Sequence, residues 1–284
     1  MIHLVEDTID NKDIDSLVKW LKSYPRLTKG PLTEELEENF ANWLGTKYSV
    51  FCNSGSSANL LMLYSLLETA LIAKDAKVVV PSICWATDLS PVIQLSLKPI
   101  ICDCDMNNLS VDLKHLEEIF INESPDVLLL VSVLGISPEM NSIVDLCKKY
   151  NVILLEDTCE SLGSTFEEKN LGTFGLMSTF STYFGHHIST IEGGFIATND
   201  DNLYYTLKSI RSHGWDRDLP KKIQNDLRKE WSISEFDSLY TFYYCGFNLR
   251  STDLQAYIGL EQLKKIPTIT KKREANFDKY QHKI

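Results

Sequence analysis

The sequence predicts an α/β protein with a mostly parallel central sheet covered by helices. Three observations carry that prediction. Short, nearly unbroken Val/Ile/Leu runs recur along the chain, each bounded by turn residues, as strands buried on both faces require. Helical patterns lie between several of these runs, the alternation that builds crossover units. The 284 residues contain no internal repeat, low-complexity tract or Pro/Gly/Ser linker.

The elements follow in order. Residues 32–44, LTEELEENFANWL, space Leu32, Leu36, Phe40 and Leu44 four apart and stop at Gly45, which predicts an amphipathic helix with its terminator. Strands are predicted at 48–52, 77–81, 99–105, 126–133, 152–158, 178–184 and 194–198. Helical patterns occupy 58–73, 111–120, 142–150 and 202–213. Residues 251–279 read as a helix, a turn and the start of another helix.

Composition narrows the function. With 44% hydrophobic residues the chain can bury a large core, and its net charge of -11 gives no electrostatic footing on nucleic acid or an acidic membrane. The first residues carry acids where a signal peptide would carry basic then apolar residues, and no apolar run is long enough to span a bilayer. A cytoplasmic location is expected. The seven cysteines are scattered and include no CxxC pair; they read as buried thiols in a reducing compartment, and no metal site is assigned.

Five features fall where an α/β sheet gathers its ligand, at the carboxyl ends of strands. In CNSGSSANLLM a strand runs through Gly55 and Ser56 into a helix whose free amides form a phosphate cup, although a Ser-rich cap on a core helix fits equally. Asp157 follows a buried strand and could cap a helix or hold a protonated ring nitrogen. Trp85 could stack on a flat ring or fill the core. Ser181 with HHISTIEGG, and FNLRSTDLQAYIG at 247–259, complete the set. All five agree on one ligand: a flat, cationic, phosphorylated ring.

The order SGSSAN, PSICWAT, EDTCESLGSTF, FSTYFGHHISTIEGG, RSHGWDRD, GFNLRSTDLQAYIGLEQL resembles the DegT/DnrJ/EryC1/StrS sugar aminotransferases. These are fold-type I enzymes that use pyridoxal 5'-phosphate and pyridoxamine 5'-phosphate on nucleotide-linked keto sugars. The resemblance runs from about Leu27 to the last helix. It implies a large cofactor-binding domain over 1–250 and the start of a small C-terminal domain over 251–284, most of which is expected to be missing beyond Ile284. Reduced activity is the expectation for such a shortened chain.

In the family a lysine six residues before the Glu of the E-G-G turn holds the cofactor covalently. Counting back from Glu192, that position here is His186. An imidazole cannot make that bond, but with an ordinary pKa of about 6.5 it shuttles protons well at neutral pH. A simple amine transfer loses its usual nucleophile. One branch of the family, the sugar 3-dehydratases, shares this replacement. It implies that glutamate first converts the cofactor to its amine form, after which the amine joins the C4 ketone of the sugar. His186 would then remove a proton from the cofactor's C4' carbon and the C3 hydroxyl would leave, giving a 3-deoxy-4-keto sugar and ammonia.

Other roles are implied position by position. Asp157 would partner the ring nitrogen and Trp85 would stack on the ring. Gly55, Ser56 and Ser181 would contact the phosphate, and Glu160 would sit near the cofactor hydroxyl. Asn248 would reach the phosphate of a neighbouring subunit, which makes a homodimer the expected working unit. Leu27, Thr28, Lys29, Gly30, His213, Arg217 and Arg250 would lie near the sugar and its diphosphate, where cations suit the charge; His213 and Arg217 could equally be a helix end and a solvated loop. Three rivals stay open: a sugar aminotransferase that tolerates histidine, a CDP-sugar 3-dehydratase that needs an iron-sulfur centre, and an inactive truncated homologue.

Overall fold

The structure, a computed structural model, describes residues 5–281. The last three residues of the expected C-terminal segment, 282–284, lie outside them. Ten α-helices are present among the described residues: α1 (Asn11–Leu21), α2 (Pro31–Leu44), α3 (Gly55–Glu68), α4 (Ala86–Gln94), α5 (Leu113–Glu123), α6 (Met140–Tyr150), α7 (Asp201–Arg211), α8 (Lys221–Glu230), α9 (Asp253–Leu263) and α10 (Ile266–Gln281). The strands are β1 (Tyr48–Cys52), β2 (Lys77–Pro81), β3 (Lys98–Cys102), β4 (Val127–Val131), β5 (Ile153–Asp157), β6 (Thr165–Phe166), β7 (Lys169–Asn170), β8 (Met177–Ser181) and β9 (Gly194–Thr198). None of the described helices is long and apolar enough to cross a membrane.

Seven strands form one sheet in the order β1-β9-β8-β5-β4-β2-β3, and β6 with β7 make a separate hairpin. Pairing is parallel from β8 across to β3, whereas β9 runs antiparallel to both β8 and β1. The sheet is therefore mostly parallel, with one reversed strand. Alternation along each strand assigns the layers. Val78 and Val80 pack with Leu61, Leu66, Leu203 and Leu207 from α3 and α7, while Val79 packs with Leu116, Phe120 and Ile143 from α5 and α6. On that second face, under β1, β9 and β8, Leu36 and Phe40 of α2 meet Phe51, Phe180 and Phe195. Phe40 stacks on Phe195 at 4.0 Å.

α3 runs through the middle and is apolar on nearly every side, with Ala58, Leu61, Met62, Leu63 and Leu66 buried. Burial of each Leu contributes about 1.5–3 kcal/mol, so this helix is firmly seated and its N-terminus is a fixed point. It ends at Glu68, five residues before the predicted Ala73, because Ala70 turns at φ 54° and lets Ile72 and Ala76 plug the core ahead of β2. β3 stops at Cys102 rather than Asp105, since Cys104 leaves the sheet to bridge Val111. α2 ends at Gly45, whose φ of 93° suits glycine. α9 packs on α2, with Leu36 side-chain carbons against Gly259.

Candidate active site

The carboxyl ends of the parallel strands carry the site. β1 leads into Ser54, whose side chain accepts from the amide of Ser57 at 3.0 Å and caps α3. The amides of Gly55 and Ser56 belong to the first turn, where no helical acceptor exists. A Cβ on Gly55 would sit 2.7 Å from the Ser181 Cβ at the end of β8, so glycine is required for this close approach. Ser56 Oγ donates to Thr87 Oγ1 at 3.2 Å. Gly55, Ser56 and Ser181 thus meet at the positive end of a helix dipole, the setting for an anionic group.

β2 leads to Trp85, whose side chain is 71% exposed. It fills no core. Its amide donates to Asp88 Oδ2 at 2.9 Å, which fixes the turn into α4. Asp157 ends β5 and is buried. Its Oδ1 accepts from the Cys159 amide at 2.8 Å, and its Oδ2 accepts from Asn59 Nδ2 at 2.6 Å. No helix begins at Asp157, so the capping alternative falls away. Glu160 Oε2 accepts from the Leu134 amide at 2.7 Å.

His186 lies on the connection between β8 and β9, residues 182–193, which returns the chain to the same sheet end. Its amide donates to the Tyr183 carbonyl at 3.0 Å. The E-G-G turn closes this connection tightly: a Cβ on Gly193 would lie 2.3 Å from Thr190 Oγ1, and one on Gly194 would lie 2.4 Å from the Ser54 carbonyl. Burial lowers the His186 pKa below the ordinary histidine value, against the upward pull of Glu160 and Asp157, and Arg273 of α10 lowers it further. Its neighbour His187 is buried deeper, with Nδ1 unpartnered, and burial pushes it down to about 3. The half-buried His186 is the imidazole that faces the acids.

The second group of predicted residues is gathered by one extended segment before α9. Isolated bridges join Asn248 to Ser212, Arg250 to Cys52 and Thr252 to Thr28. Asp253 then holds the loop that carries Leu27, Thr28, Lys29 and Gly30: its Oδ1 accepts from the amides of Gly30 at 2.8 Å and Thr33 at 3.0 Å, and from Thr33 Oγ1 at 2.7 Å. His213 Nε2 lies 3.5 Å from Arg250 Nη2, and its ring meets Trp215 edge-on at 4.9 Å. Arg217 lies over the Trp215 ring at 4.1 Å and donates to the Leu239 carbonyl. Asn248 is exposed and accepts from Arg250 Nε at 3.1 Å.

Lys29 is placed differently from its neighbours. Its ammonium lies 3.3 Å from Asp218 on a side chain only 8% exposed. It serves the packing of the loop before it can serve a ligand. Residues the sequence reading passed over are Asn59, Asp88 and Thr179, which surround Asp157, and Arg273, which faces the two histidines. A polar residue inside the apolar run of α3 is the one available signal, and it points to Asn59.

A mostly parallel sheet with a helix N-terminus, a buried carboxylate and an exposed indole at its carboxyl edge is the layout of an aminotransferase-like enzyme. The chain belongs to the DegT/DnrJ/EryC1/StrS aminotransferase family, which it matches over residues 7–284. It is 38% identical over 283 residues to the GDP-4-keto-6-deoxy-D-mannose 3-dehydratase of Escherichia coli O55:H7, covering 99% of this chain and 72% of that protein. The enzyme of the same name from Yersinia pseudotuberculosis is 37% identical over 275 residues, covering 96% and 69%. A crystal structure of GDP-4-keto-6-deoxymannose-3-dehydratase with a trapped PLP-glutamate geminal diamine superimposes with a TM-score of 0.87 at 36% identity, covering 94% of this chain and 69% of that one. The fold is the aminotransferase-like fold of these pyridoxal-phosphate enzymes.

Proposed function

We propose that this chain is a glutamate-requiring sugar 3-dehydratase that uses pyridoxal 5'-phosphate and pyridoxamine 5'-phosphate. Its substrate is a nucleotide-linked 4-keto-6-deoxy sugar of the GDP-4-keto-6-deoxy-mannose type. The observation that carries the reading is His186, a half-buried imidazole at the family's lysine position, facing Glu160 and Asp157. The residues at the strand ends fit the cofactor: the cup at Gly55, Ser56 and Ser181 suits its phosphate, Asp157 its ring nitrogen, and Trp85 its flat face. When bound, the cofactor supplies a ring that accepts electrons from the carbon next to its amine.

The chain does the rest. Asp157, held by Asn59 and the Cys159 amide, keeps a proton on the ring nitrogen. Glu160 lies near the cofactor hydroxyl. His186 takes a proton on an imidazole nitrogen and, as the conjugate acid, returns one to the departing C3 oxygen. Its lowered pKa keeps it neutral, and so ready as a base, at neutral pH. Leu27, Thr28, Gly30, His213, Arg217 and Arg250 line the approach of the sugar diphosphate, with Lys29 bracing the loop through Asp218. Glutamate is the amine donor. The working unit is a cytoplasmic homodimer in which the exposed Asn248 reaches the neighbour's phosphate, and the product serves 3-deoxy sugar synthesis for surface polysaccharide, as in the colitose branch. The large domain comprises 1–250, and 251–284 begin a smaller one.

The test incubates the protein, pyridoxal phosphate and glutamate with GDP-4-keto-6-deoxy-mannose, then weighs the sugar product and assays ammonia. Loss of the C3 oxygen with ammonia release is the expected result. A product that gains an amine would make the chain an aminotransferase instead. In the same assay His186→Asn should cut turnover by about 10²–10⁴-fold with cofactor binding retained. The rate should fall on the acid side only below the ordinary histidine pKa, because protonation of His186 is what stops it.

A further inference from the structure

Behind the cofactor side of the site lies a second buried carboxyl that the reaction above does not use. Asp88 is 1% exposed and Asp157 6%. Asn59 joins them: its Nδ2 lies 3.0 Å from Asp88 Oδ1, 2.6 Å from Asp157 Oδ2 and 3.2 Å from the Thr87 carbonyl. Thr179 Oγ1 donates to Asn59 Oδ1 at 2.6 Å, with the amide nitrogen turned toward the carboxyls. An amide nitrogen has two protons, so three acceptors compete for two donors. Among the described residues no cation forms an ion pair with either carboxyl. Two adjacent buried carboxyls without a counter-ion do not both ionise.

We propose that Asp88 is a positioning residue for the reaction: it stays a neutral carboxylic acid that donates its proton to Asp157 and leaves the pair with a single negative charge. Its other oxygen, by accepting from the Trp85 amide, ties the stacking indole to the carboxylate that meets the ring nitrogen. The inference rests on the reading of Asp157 as that partner. The groups facing Asp88 agree with it. Burial, then Asp157 and with it Glu160, push Asp88 up to about 10, against the pull of the Trp85 amide. The nearby thiols Cys84 and Cys159 are held up first by burial. His186 faces Asp157 and Glu160 across the site.

The experiment follows the infrared carbonyl band of protonated carboxylic acid in cofactor-free protein through a pH titration. The band should persist at pH 8 in the wild type and be missing in Asp88→Asn. In Asp157→Asn its titration midpoint should fall by at least one pH unit, a coupling that a purely structural cap would not show. Binding of pyridoxal phosphate, followed by absorbance, should weaken at least tenfold in Asp88→Ala and stay within threefold of wild type in Asp88→Asn, which keeps a neutral donor. Absence of the band at pH 8, an unmoved midpoint, or equal losses in the Asn and Ala variants would overturn the proposal. A wild type that shows the band and binds no pyridoxal phosphate would instead refute the reading of the site.

Discussion

Two buried clusters of charge lie at the same end of the sheet, and they are built on opposite plans. In the first, Arg211 is fully buried and donates to Glu37 Oε1 and, at 2.6 Å, to the Phe51 carbonyl. Glu37 Oε1 also accepts from the Phe51 amide at 2.8 Å, and Asp218 sits between Arg211 at 3.8 Å and Lys29 at 3.3 Å. Burial works against the charge on Arg211, yet Glu37 and Asp218 raise its pKa overall. Burial likewise opposes charge on Asp218, and Lys29 and Arg211 still lower it. In the second cluster two carboxyls share one amide and no cation. A cluster that neutralises itself holds the fold; one that lacks a cation is, on the function proposed above, where the cofactor's ring nitrogen sits.

The sharpest way to break that contrast is to remove the cation of the first cluster. Arg211→Met should cost about 3–5 kcal/mol, the price of stranding Glu37 in the interior, measured by urea denaturation. A loss under about 1 kcal/mol would mean the clasp is ornamental. Next comes the cofactor that the proposed function places at the second cluster. Pyridoxal phosphate at a hundred times its Kd should stabilise the wild type by about 2.7 kcal/mol, read as a rise in Tm. Asp157→Asn should abolish most of that rise while costing the cofactor-free protein less than Arg211→Met does, because it gives up one acceptor and strands no charge. Destabilisation of the cofactor-free variant comparable to that of Arg211→Met would erase the difference between the clusters.

A third test, silent at neutral pH, concerns a buried group that belongs to neither. His187 has its pKa pushed down to about 3, so between about pH 6.5 and 3 the unfolded chain binds a proton that the folded chain refuses. Its contribution is fully present above about pH 6.5 and is lost as pH falls, by up to about 1.4 kcal/mol per unit. His187→Leu should flatten the acid side of a Tm-against-pH curve and change little at pH 8. An unchanged acid slope would show that His187 is protonated in the folded state.

Much of the fold was legible because burial on both faces leaves a plain mark. The runs at 48–52, 77–81 and 194–198 coincide with β1, β2 and β9, and the spacing of Leu32, Leu36, Phe40 and Leu44 with α2. Boundaries slipped where a local turn overrode propensity, as at Ala70 after α3 and Cys104 after β3. Asp157 and Trp85 could each be read two ways in the sequence, and the structure removed one reading of each: the 71% exposed indole fills no core, and no helix begins at Asp157 for it to cap. Asp88 gave no sign at all. Its chemistry comes from Asn59, 29 residues away along the chain, and from Asp157, itself 98 residues from Asn59.

The sequence by itself determined the alternating elements, the glycines of the cup and the E-G-G turn, and the presence of a histidine at residue 186. These depend on residue type and short spacing, which local sterics and hydrophobic periodicity read directly. Only the tertiary structure decided that β9 runs against its neighbours, that Lys29 answers Asp218, and that Asp88 and Asp157 share Asn59. Strand order, burial and charge pairing arise between residues far apart in the chain, where the gain in contact and the loss of solvation depend on the whole packed sheet and not on any one segment.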